Sequence, residues 1–568
     1  MRTYNIVVST LILEKKISKY LLSIPPIATL IVSPFSNYDP INLIKNLVVT
    51  SGAFFILGLL LSNLKFYITK DNTVLILVSG GFFFSMLSTM FFSRAPLNQQ
   101  FWGTFGRGTG FLTYFSLLIL LVSSAILTDK KFHNSLILAL IYTSIPVSLY
   151  ALIQIAKLDP IRWSLQDTFA TLGNSNFLSA FLGMSSIATF VFVFENRAKS
   201  FKFTCILMII INQWIILTSG SIQGFLIFLA GVGVAGFFLL RRFTQAFYLL
   251  RFYDLLAIVA TTLAVFGVFN RGPLARIIFQ PSVLYRADYM HAGFKMTIAK
   301  PFTGVGLDSY GDWYRQVRGV ISTLRTGPER TANASHNIFL DISSNGGFPL
   351  LIFYGLLLLL ALNSSMKYLK INGTKNLTFV AIFSVWVAYQ IQAAISINQI
   401  GVGIWGWILT GSLIGFSKFS SINSRNELTE KMSSRRKKRN KSDSVLPPSS
   451  ALFAMIFLCM GFLLAFMPFR ADMEFKKALE KRSLTELINS VHLPASNAFL
   501  LSQVIQGAVQ SNFLDQAHML ALESVKKYPR DNYGWKILYF LSNSTPEEKE
   551  LALITLKELD PFNPDLSK

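Results

Sequence analysis

Long apolar runs recur along the chain, and they constrain its fold more than any other feature. The hydrocarbon core of a bilayer is about 30 Å thick and is crossed by about 20 helical residues, and runs of that length follow one another here. Only 14% of the 568 residues are charged, whereas soluble domains carry about 25%. The pattern predicts an all-α, polytopic helical membrane protein and excludes disordered, collagen-like and disulfide-rich secreted chains.

The apolar runs predict thirteen membrane-spanning helices. Residues 376–417 contain no charged residue and are too long for one crossing, so we expect two helices that turn near residues 398–401. The other predicted cores are residues 20–34, 47–61, 73–92, 110–127, 134–155, 176–194, 203–218, 223–240, 253–270, 338–362 and 449–468. The early apolar run 6–13 is short and lacks a small-residue cleavage site, so it does not predict a signal peptide.

The net charge of +23, from 52 Lys and Arg against 29 Asp and Glu, leaves nucleic acid, anionic lipid or an anionic substrate open as partners. With the N-terminus in the cytoplasm, basic residues collect in alternate loops, as the positive-inside rule predicts. The densest basic run, 435–439, falls in the predicted cytoplasmic loop 418–448. We interpret the charge mainly as a topology signal and expect no nucleic-acid partner, although an anionic-lipid contact of this run stays open.

Two regions are predicted to lie on the extracytoplasmic side: the large loop 271–335 of the membrane domain 1–469, and the tail 470–568. The tail has amphipathic helical patterning and two proline turns, at Pro529 and Pro561. Their separation is close to the period of about 34 residues of tetratricopeptide repeats. The tail thus resembles two or three such units that dock a partner protein, and an unrelated small helical domain is the alternative.

The large loop is rich in arginine, with seven Arg and two Lys against three Asp and one Glu. A guanidinium group binds phosphate oxygens through two parallel hydrogen bonds, which lysine cannot do. Arg286, Arg315 and Arg318 are therefore candidate phosphate ligands, and the last two share a face if their segment is helical. Surface salt bridges are the alternative for each of them.

His336 precedes the predicted span 338–362 and is a candidate proton acceptor, with an ordinary pKa of about 6.5. A simple interfacial position is the alternative. A metal site is not predicted, because His291 is far away in sequence and no carboxylate cluster accompanies the pair. Cys205 and Cys459 lie in apolar runs and are interpreted as small buried side chains.

Four motifs, in the expected order, resemble those of the O-antigen ligase and polymerase superfamily of bacterial membrane glycosyltransferases, which includes protein O-oligosaccharyltransferases. They are Gly106-Arg107-Gly108-Thr109-Gly110; Gly173-Asn174-Ser175-Asn176; Arg286 with Pro301 and Gly304-Val305-Gly306; and Ser335-His336-Asn337 with Leu340. The resemblance covers roughly residues 40–415. It departs from the family at Ser175, Met290 and Asn345, and the turn 219–224 lacks an arginine that many members have.

The resemblance implies transfer of a glycan from a polyprenyl diphosphate to an acceptor hydroxyl on the external face of the bacterial inner membrane, without nucleotide sugar, cofactor or essential metal. The favoured acceptor is lipid A core, and a growing polymer or a protein hydroxyl are the alternatives. A transporter of lipid-linked glycans is the competing class. The implied site residues are Arg286 and Arg107, then Arg315 and Arg318, for the diphosphate; His336 for the acceptor proton; and Asn174, Asn176 and Asn337 for sugar hydroxyls or loop structure.

Overall fold

The computed structural model describes residues 2–127, 129–163, 167–433 and 448–566, which form helices and loops and contain no β-strand. The helices up to the large loop are α1 (Arg2–Leu30), α2 (Asn42–Leu61), α3 (Leu64–Tyr67), α4 (Thr73–Phe92), α5 (Leu97–Trp102), α6 (Phe111–Ile126), α7 (Lys130–Ile155), α8 (Ser175–Val193), α9 (Lys199–Thr218), α10 (Gln223–Phe243) and α11 (Phe247–Val268). The prediction of an all-α protein is confirmed.

The large loop contains four helices, and the tail contains five. In the loop they are α12 (Ala275–Ile278), α13 (Pro281–Ala299), α14 (Tyr310–Val317) and α15 (Val320–Thr326). Four helices follow: α16 (Ile338–Asn372), α17 (Leu377–Ala393), α18 (Ile400–Ser433) and α19 (Pro448–Lys481). The tail adds α20 (Leu484–Val491), α21 (Ala498–Gln510), α22 (Leu514–Lys527), α23 (Asn532–Phe540) and α24 (Pro546–Leu559), and short 3₁₀ helices occur at Lys70–Asn72 and Pro564–Leu566.

Ten of the described helices are long and apolar enough to cross a membrane. They are α2, α4, α7–α11, α16, α18 and α19, and the shorter apolar helices α6 and α17 accompany them. The polytopic membrane fold is therefore confirmed, and the two helices predicted within residues 376–417 are present, separated by the turn between Ala393 and Ile400. The total of thirteen crossings stays a prediction.

The helices differ strongly in how much of their apolar surface the protein itself covers. In the most apolar window of α18, 94% of the residues are buried, whereas α11 buries none in its own. An apolar helix surface that the protein does not cover needs lipid around it, because contact of that surface with water is unfavourable. α18 therefore forms part of the interior of the bundle, and α11 lies at its periphery.

The last long helix, α19, packs along α2 and continues beyond the bundle. The two backbones approach so closely that a Cβ at Gly58 would lie 2.6 Å from the carbonyl oxygen of Phe453, a contact that small residues make possible between membrane helices. At 1.5 Å per residue, the 34 residues of α19 extend about 50 Å, more than a bilayer core requires. The helix thus runs without interruption through residue 470 into the tail.

The large loop and the tail lie at the same end of the bundle. Arg318 of the loop forms an ion pair of 2.7 Å with Asp560 of the tail, and Asp472 at the base of the tail accepts hydrogen bonds from the backbone N–H groups of Tyr38 and Asp39. The two predicted external regions therefore share one side of the protein. The predicted basic run 435–439 falls outside the described residues.

Candidate functional site

The candidate site lies at the end of the bundle that carries the large loop. Helix α13 of the loop packs against α16, and α10 packs against both α8 and α17. These contacts gather the starts of α8, α10 and α16, where several of the predicted site residues are located. The predicted residues differ in their partners: Arg286 and His336 have no counter-ion among the residues that the structure describes, and Arg107, Arg315 and Arg318 are bound to aspartates.

Arg286 on α13 is held by an amide instead of a carboxylate. Its Nη2 donates a hydrogen bond of 3.1 Å to Oε1 of Gln223, and the described part of the chain supplies no ion pair to it. The side chain is half-buried, and this burial lowers the pKa of the guanidinium group. A cation that has lost part of its water without gaining a counter-ion favours the binding of an anion.

Gln223, the first residue of α10, holds Arg286 in position. Its Nε2 donates a hydrogen bond to Oε1 of Gln392 on α17, and both glutamine side chains are buried. The amide pair thereby fixes the guanidinium group against two helices of the bundle. The four motifs contain neither glutamine. The available signal was an amide at one end of a mostly apolar helix, and on α17 Gln390 accompanies Gln392.

His336 lies shortly before α16 in a left-handed backbone conformation, with φ of +55°. Residues other than glycine adopt this conformation at an energetic cost. Its ring lies beside Tyr289, with ring centroids 5.2 Å apart, and it has no hydrogen bond to any described residue. Burial, with the charges of Arg286 and Arg107, lowers the pKa of His336 to about 4. The imidazole is neutral near pH 7 and can accept a proton or a hydrogen bond.

Hydrogen bonds fix the backbone on both sides of His336. The N–H of Ser335 donates to Oδ1 of Asp341 over 2.7 Å, and Oγ of Ser335 donates to the carbonyl of Asn337 over 2.8 Å. Asn337 caps α16 through its side-chain oxygen and donates from Nδ2 to the carbonyl oxygen of Ala394 over 2.9 Å. The histidine is therefore presented by a rigid turn, and Asn337 contributes to that rigidity.

Arg107 is buried between two carboxylates. Its Nε lies 3.4 Å from Oδ1 of Asp308, and its Nη2 lies 3.3 Å from Oδ2 of Asp341. Its Nη1 also donates to the carbonyl oxygen of Asn333 over 2.5 Å. The positive charge is thus offset inside the protein, and the side chain ties the glycine-rich turn 103–110 to the large loop and to α16.

Arg315 and Arg318 lie on the same side of the loop and bind the tail. Nη2 of Arg318 lies 2.7 and 2.8 Å from the two carboxylate oxygens of Asp560, and Nη1 of Arg315 lies 3.1 Å from one of them. The side chains of Arg318 and Asp560 are fully buried. Both arginines also donate to the carbonyl oxygen of Pro328, so they hold together the tail and the segment that leads to His336.

The asparagine pair at the start of α8 is partly engaged. Oδ1 of Asn174 accepts a hydrogen bond from the backbone N–H of Asn176 over 2.8 Å and caps the helix. Oδ1 of Asn176 accepts from Oγ of Ser221 over 2.8 Å. The side-chain NH₂ groups of both asparagines donate to no described residue, which leaves them free to meet a ligand.

No group of three or more His, Cys, Asp and Glu side chains that could hold a metal ion occurs in the described ranges. The ionisable residues at this end instead form ion pairs, or stand alone as Arg286 and His336 do. Independence from metal ions stays a prediction.

Residues 203–355 match a family model described as O-antigen ligase. The matched segment runs from α9 into α16 and contains Gln223, Arg286 and His336, whereas Arg107 and Asn174 lie before it. It does not reach the tail, whose resemblance to tetratricopeptide repeats is not confirmed. A search of curated proteins found no significant match. The match covers 153 of the 568 residues and supports a likeness to the O-antigen ligase superfamily, whose members are membrane glycosyltransferase-like enzymes.

Proposed function

We propose that this protein transfers a glycan from a polyprenyl diphosphate to an acceptor hydroxyl, at the extracytoplasmic face of the bacterial inner membrane. The observation that carries the proposal is Arg286, a half-buried arginine without an acidic partner in the described part of the chain, whose charge acts on the neutral imidazole of His336. This reaction needs a cation that stabilises the anionic leaving group and a base that accepts the proton of the acceptor hydroxyl. The apolar helices around the site offer a bilayer environment for the lipid of the donor.

The acceptor oxygen attacks the anomeric carbon of the donor sugar, and the bond from that carbon to the diphosphate oxygen breaks. Negative charge then grows on the leaving diphosphate, where the guanidinium group of Arg286 stabilises it. The proton of the acceptor hydroxyl passes to a ring nitrogen of His336, and such general-base assistance contributes about 10²–10⁴-fold to a rate. The scheme needs no nucleotide sugar, cofactor or metal.

Donor binding also adjusts the base. A group with a pKa of about 4, as in His336 without ligand, is a weak proton acceptor. Burial is the main cause of the low pKa of His336, and the charge of Arg286 adds to it. A diphosphate beside Arg286 offsets this second contribution and so raises the pKa of His336 part of the way toward its ordinary value. His336 therefore becomes more basic when the donor is in place.

The remaining predicted residues receive supporting roles in this proposal. Arg107, Arg315 and Arg318 hold the loop, and their bound carboxylates make them weaker candidates for the diphosphate than Arg286. The free amide groups of Asn174 and Asn176 are suited to sugar hydroxyls, and Asn337 maintains the turn that presents His336.

The proposal is tested with purified full-length protein and a lipid-linked glycan donor in detergent micelles. His336→Ala and Arg286→Ala should each abolish transfer while the thermal unfolding midpoint is retained. Arg325→Gln is the matched control, because Arg325 lies in the same loop but pairs with Asp288 at the surface. Undiminished transfer in both site variants would overturn the assignment, and counterflow of labelled donor across vesicles without product would indicate a transporter.

The acceptor is identified in a strain that lacks the protein. Loss of every capped lipopolysaccharide species indicates transfer to lipid A core, which is our first choice, and a cap of a single repeat indicates a polymerase. An unchanged lipopolysaccharide profile with loss of a glycoprotein indicates transfer to a protein hydroxyl.

A further inference from the structure

A cavity of about 570 Å³ opens between three parts of the chain that are distant in sequence. Its walls come from residues 93–105 of the membrane domain, residues 300–333 of the large loop, and residues 497–536 with Leu559 of the tail. The volume falls in the range of about 300–1,000 Å³ typical of ligand pockets. Neither Arg286 nor His336 lines the cavity, although the lining residues Thr331 and Asn333 lead directly to His336 in sequence.

Aromatic side chains form part of each wall. Phe105 of the membrane domain stacks on Phe499 of the tail, with ring centroids 4.3 Å apart, and Phe499 stays 38% exposed. Trp313 from the loop and Tyr533 from the tail are half-buried lining residues. Aromatic walls with a few polar groups are typical of ligand pockets, and the C–H faces of sugar rings pack well on such aromatic surfaces.

Three cations of the wall, Arg94, Lys300 and Arg530, form no ion pair within the described residues. Arg94 and Lys300 are exposed and line the cavity, and their side chains form neither a hydrogen bond nor an ion pair with any residue that the structure describes. Lys300 has only the ring of Trp313 near its Nζ, 5.8 Å from the centroid. An acidic substituent of a ligand would find both positive charges available.

The other charged groups of the wall are already engaged. Lys536 of the tail pairs with Glu329, and Oδ2 of Asp312 accepts a hydrogen bond of 2.7 Å from Nε2 of Gln99. Arg530 lies over the ring of Trp313, with its guanidinium carbon 3.6 Å from the centroid. The lining contains five basic side chains (Arg94, Lys300, Arg315, Arg530 and Lys536) and three carboxylates (Asp312, Glu329 and Asp531), so the wall carries an excess of positive charge.

We infer that this cavity binds an oligosaccharide bearing an acidic group, with its rings on the aromatic walls and the acidic group between Arg94 and Lys300. The inference rests on the proposed function, because it identifies the cavity as the place where the glycan of a substrate is recognised. The tail completes the site by supplying Phe499 and Tyr533. It is held there by the ion pairs of Asp560 with the loop.

The experiment measures binding of the full-length protein in detergent micelles to an immobilised array of defined oligosaccharides. The array carries neutral oligosaccharides and oligosaccharides with uronic acid, sialic acid or phosphate groups. We expect an acidic oligosaccharide to bind, its neutral counterpart to bind at least about tenfold more weakly, and the double variant Arg94→Gln/Lys300→Gln to lose at least about tenfold in affinity. The matched control is Lys526→Gln/Lys557→Gln, which removes the same charge from exposed tail positions away from the cavity.

Three results would overturn the inference: no acidic oligosaccharide binds; the double variant binds as well as the parent; or hexaglutamate displaces the oligosaccharide at equal concentration, which would indicate an acidic peptide as the ligand. The test is separate from that of the transfer reaction. His336→Ala should lose transfer and keep array binding, so a failure of the proposed function and a failure of this cavity are distinguished.

Discussion

Two arginine sites of the same loop differ in what surrounds the charge. Arg318 is fully buried with Asp560 and has two contacts of 2.7 and 2.8 Å to that carboxylate. Arg286 is half-buried and has one hydrogen bond, to the neutral amide of Gln223. The first arrangement offsets the charge of the guanidinium group with a carboxylate, and the second leaves it without an acidic partner within the described residues. An excess of arginine in a loop therefore overstates the number of anion-binding groups.

The energetic consequences of the two arrangements also differ. Removal of one member of a buried ion pair costs about 3–5 kcal/mol, because the remaining charge is left buried without a partner. Removal of Arg286 leaves no carboxylate unpaired and should cost little stability. Substitution of Arg318 should therefore lower stability, and substitution of Arg286 should lower the transfer rate.

The largest effect is expected from Arg318→Gln. Asp560 would lose its two shortest contacts, and we expect the docking of the tail on the loop to weaken by about 3–5 kcal/mol. Hydrogen exchange of α24 and limited proteolysis of the tail measure this opening. The surface pair is the control: Arg325→Gln should change the same signals by less than about 1 kcal/mol. Unchanged protection in Arg318→Gln would show that the buried pair does not hold the tail.

Arg286→Gln should act on transfer instead of stability. Loss of a donor that stabilises developing charge costs about 10²–10³-fold in rate, and we expect a transfer rate lower by that factor with an unfolding midpoint like that of the parent. The comparison with Arg318→Gln is made in one preparation, with transfer and thermal unfolding measured side by side. Equal losses of stability in both variants would remove the distinction between the two sites.

Gln223→Leu should have a smaller effect, of about tenfold on transfer. The leucine cannot accept from Nη2 of Arg286, so the guanidinium group keeps its charge but loses its orientation. If Gln223 only positions Arg286, the transfer rate of Gln223→Leu should fall while its donor affinity, measured separately, changes little. Gln223→Glu sharpens the test, because a carboxylate at that place would compete with the diphosphate and weaken donor binding. Full activity in both variants would exclude a positioning role.

The pH dependence should be the mildest effect near neutrality. The neutral imidazole is the active form, and with the pKa of His336 at about 4 kcat/KM should be level above about pH 5 and fall to half at about pH 4. Because the bound diphosphate raises this pKa, kcat should decline at a higher pH than kcat/KM does. A kcat/KM profile that keeps its midpoint in His336→Ala would assign the titration to another group.

The helical membrane fold was predictable because its signal is local. A run of about 20 apolar residues specifies a spanning helix without knowledge of its neighbours, and even the turn inside the uncharged stretch 376–417 was anticipated, between Ala393 and Ile400. The motifs around Arg286 and His336 likewise lie in short stretches of sequence. Their family was confirmed over residues 203–355.

The partners of the charged side chains were not predictable, because they come from remote parts of the chain. Arg107 pairs with Asp341, which lies 234 residues later in the chain, and Arg318 pairs with Asp560 of the tail, which lies 242 residues later. No periodicity or spacing encodes such pairs, since a guanidinium group finds its carboxylate through the packing of whole helices.

The sequence by itself therefore determined that this chain is a polytopic helical membrane protein with a large loop and family motifs at one end, because hydrophobic length and short motifs are local properties. The tertiary structure decided which arginines pair with carboxylates, as Arg107 and Arg318 do, and which have no acidic partner within the described residues, such as Arg286. It also decided that the tail forms a wall of a cavity with the loop. Ion pairs and cavity walls both depend on distances between residues that are remote in sequence, and the folding of the chain sets these distances.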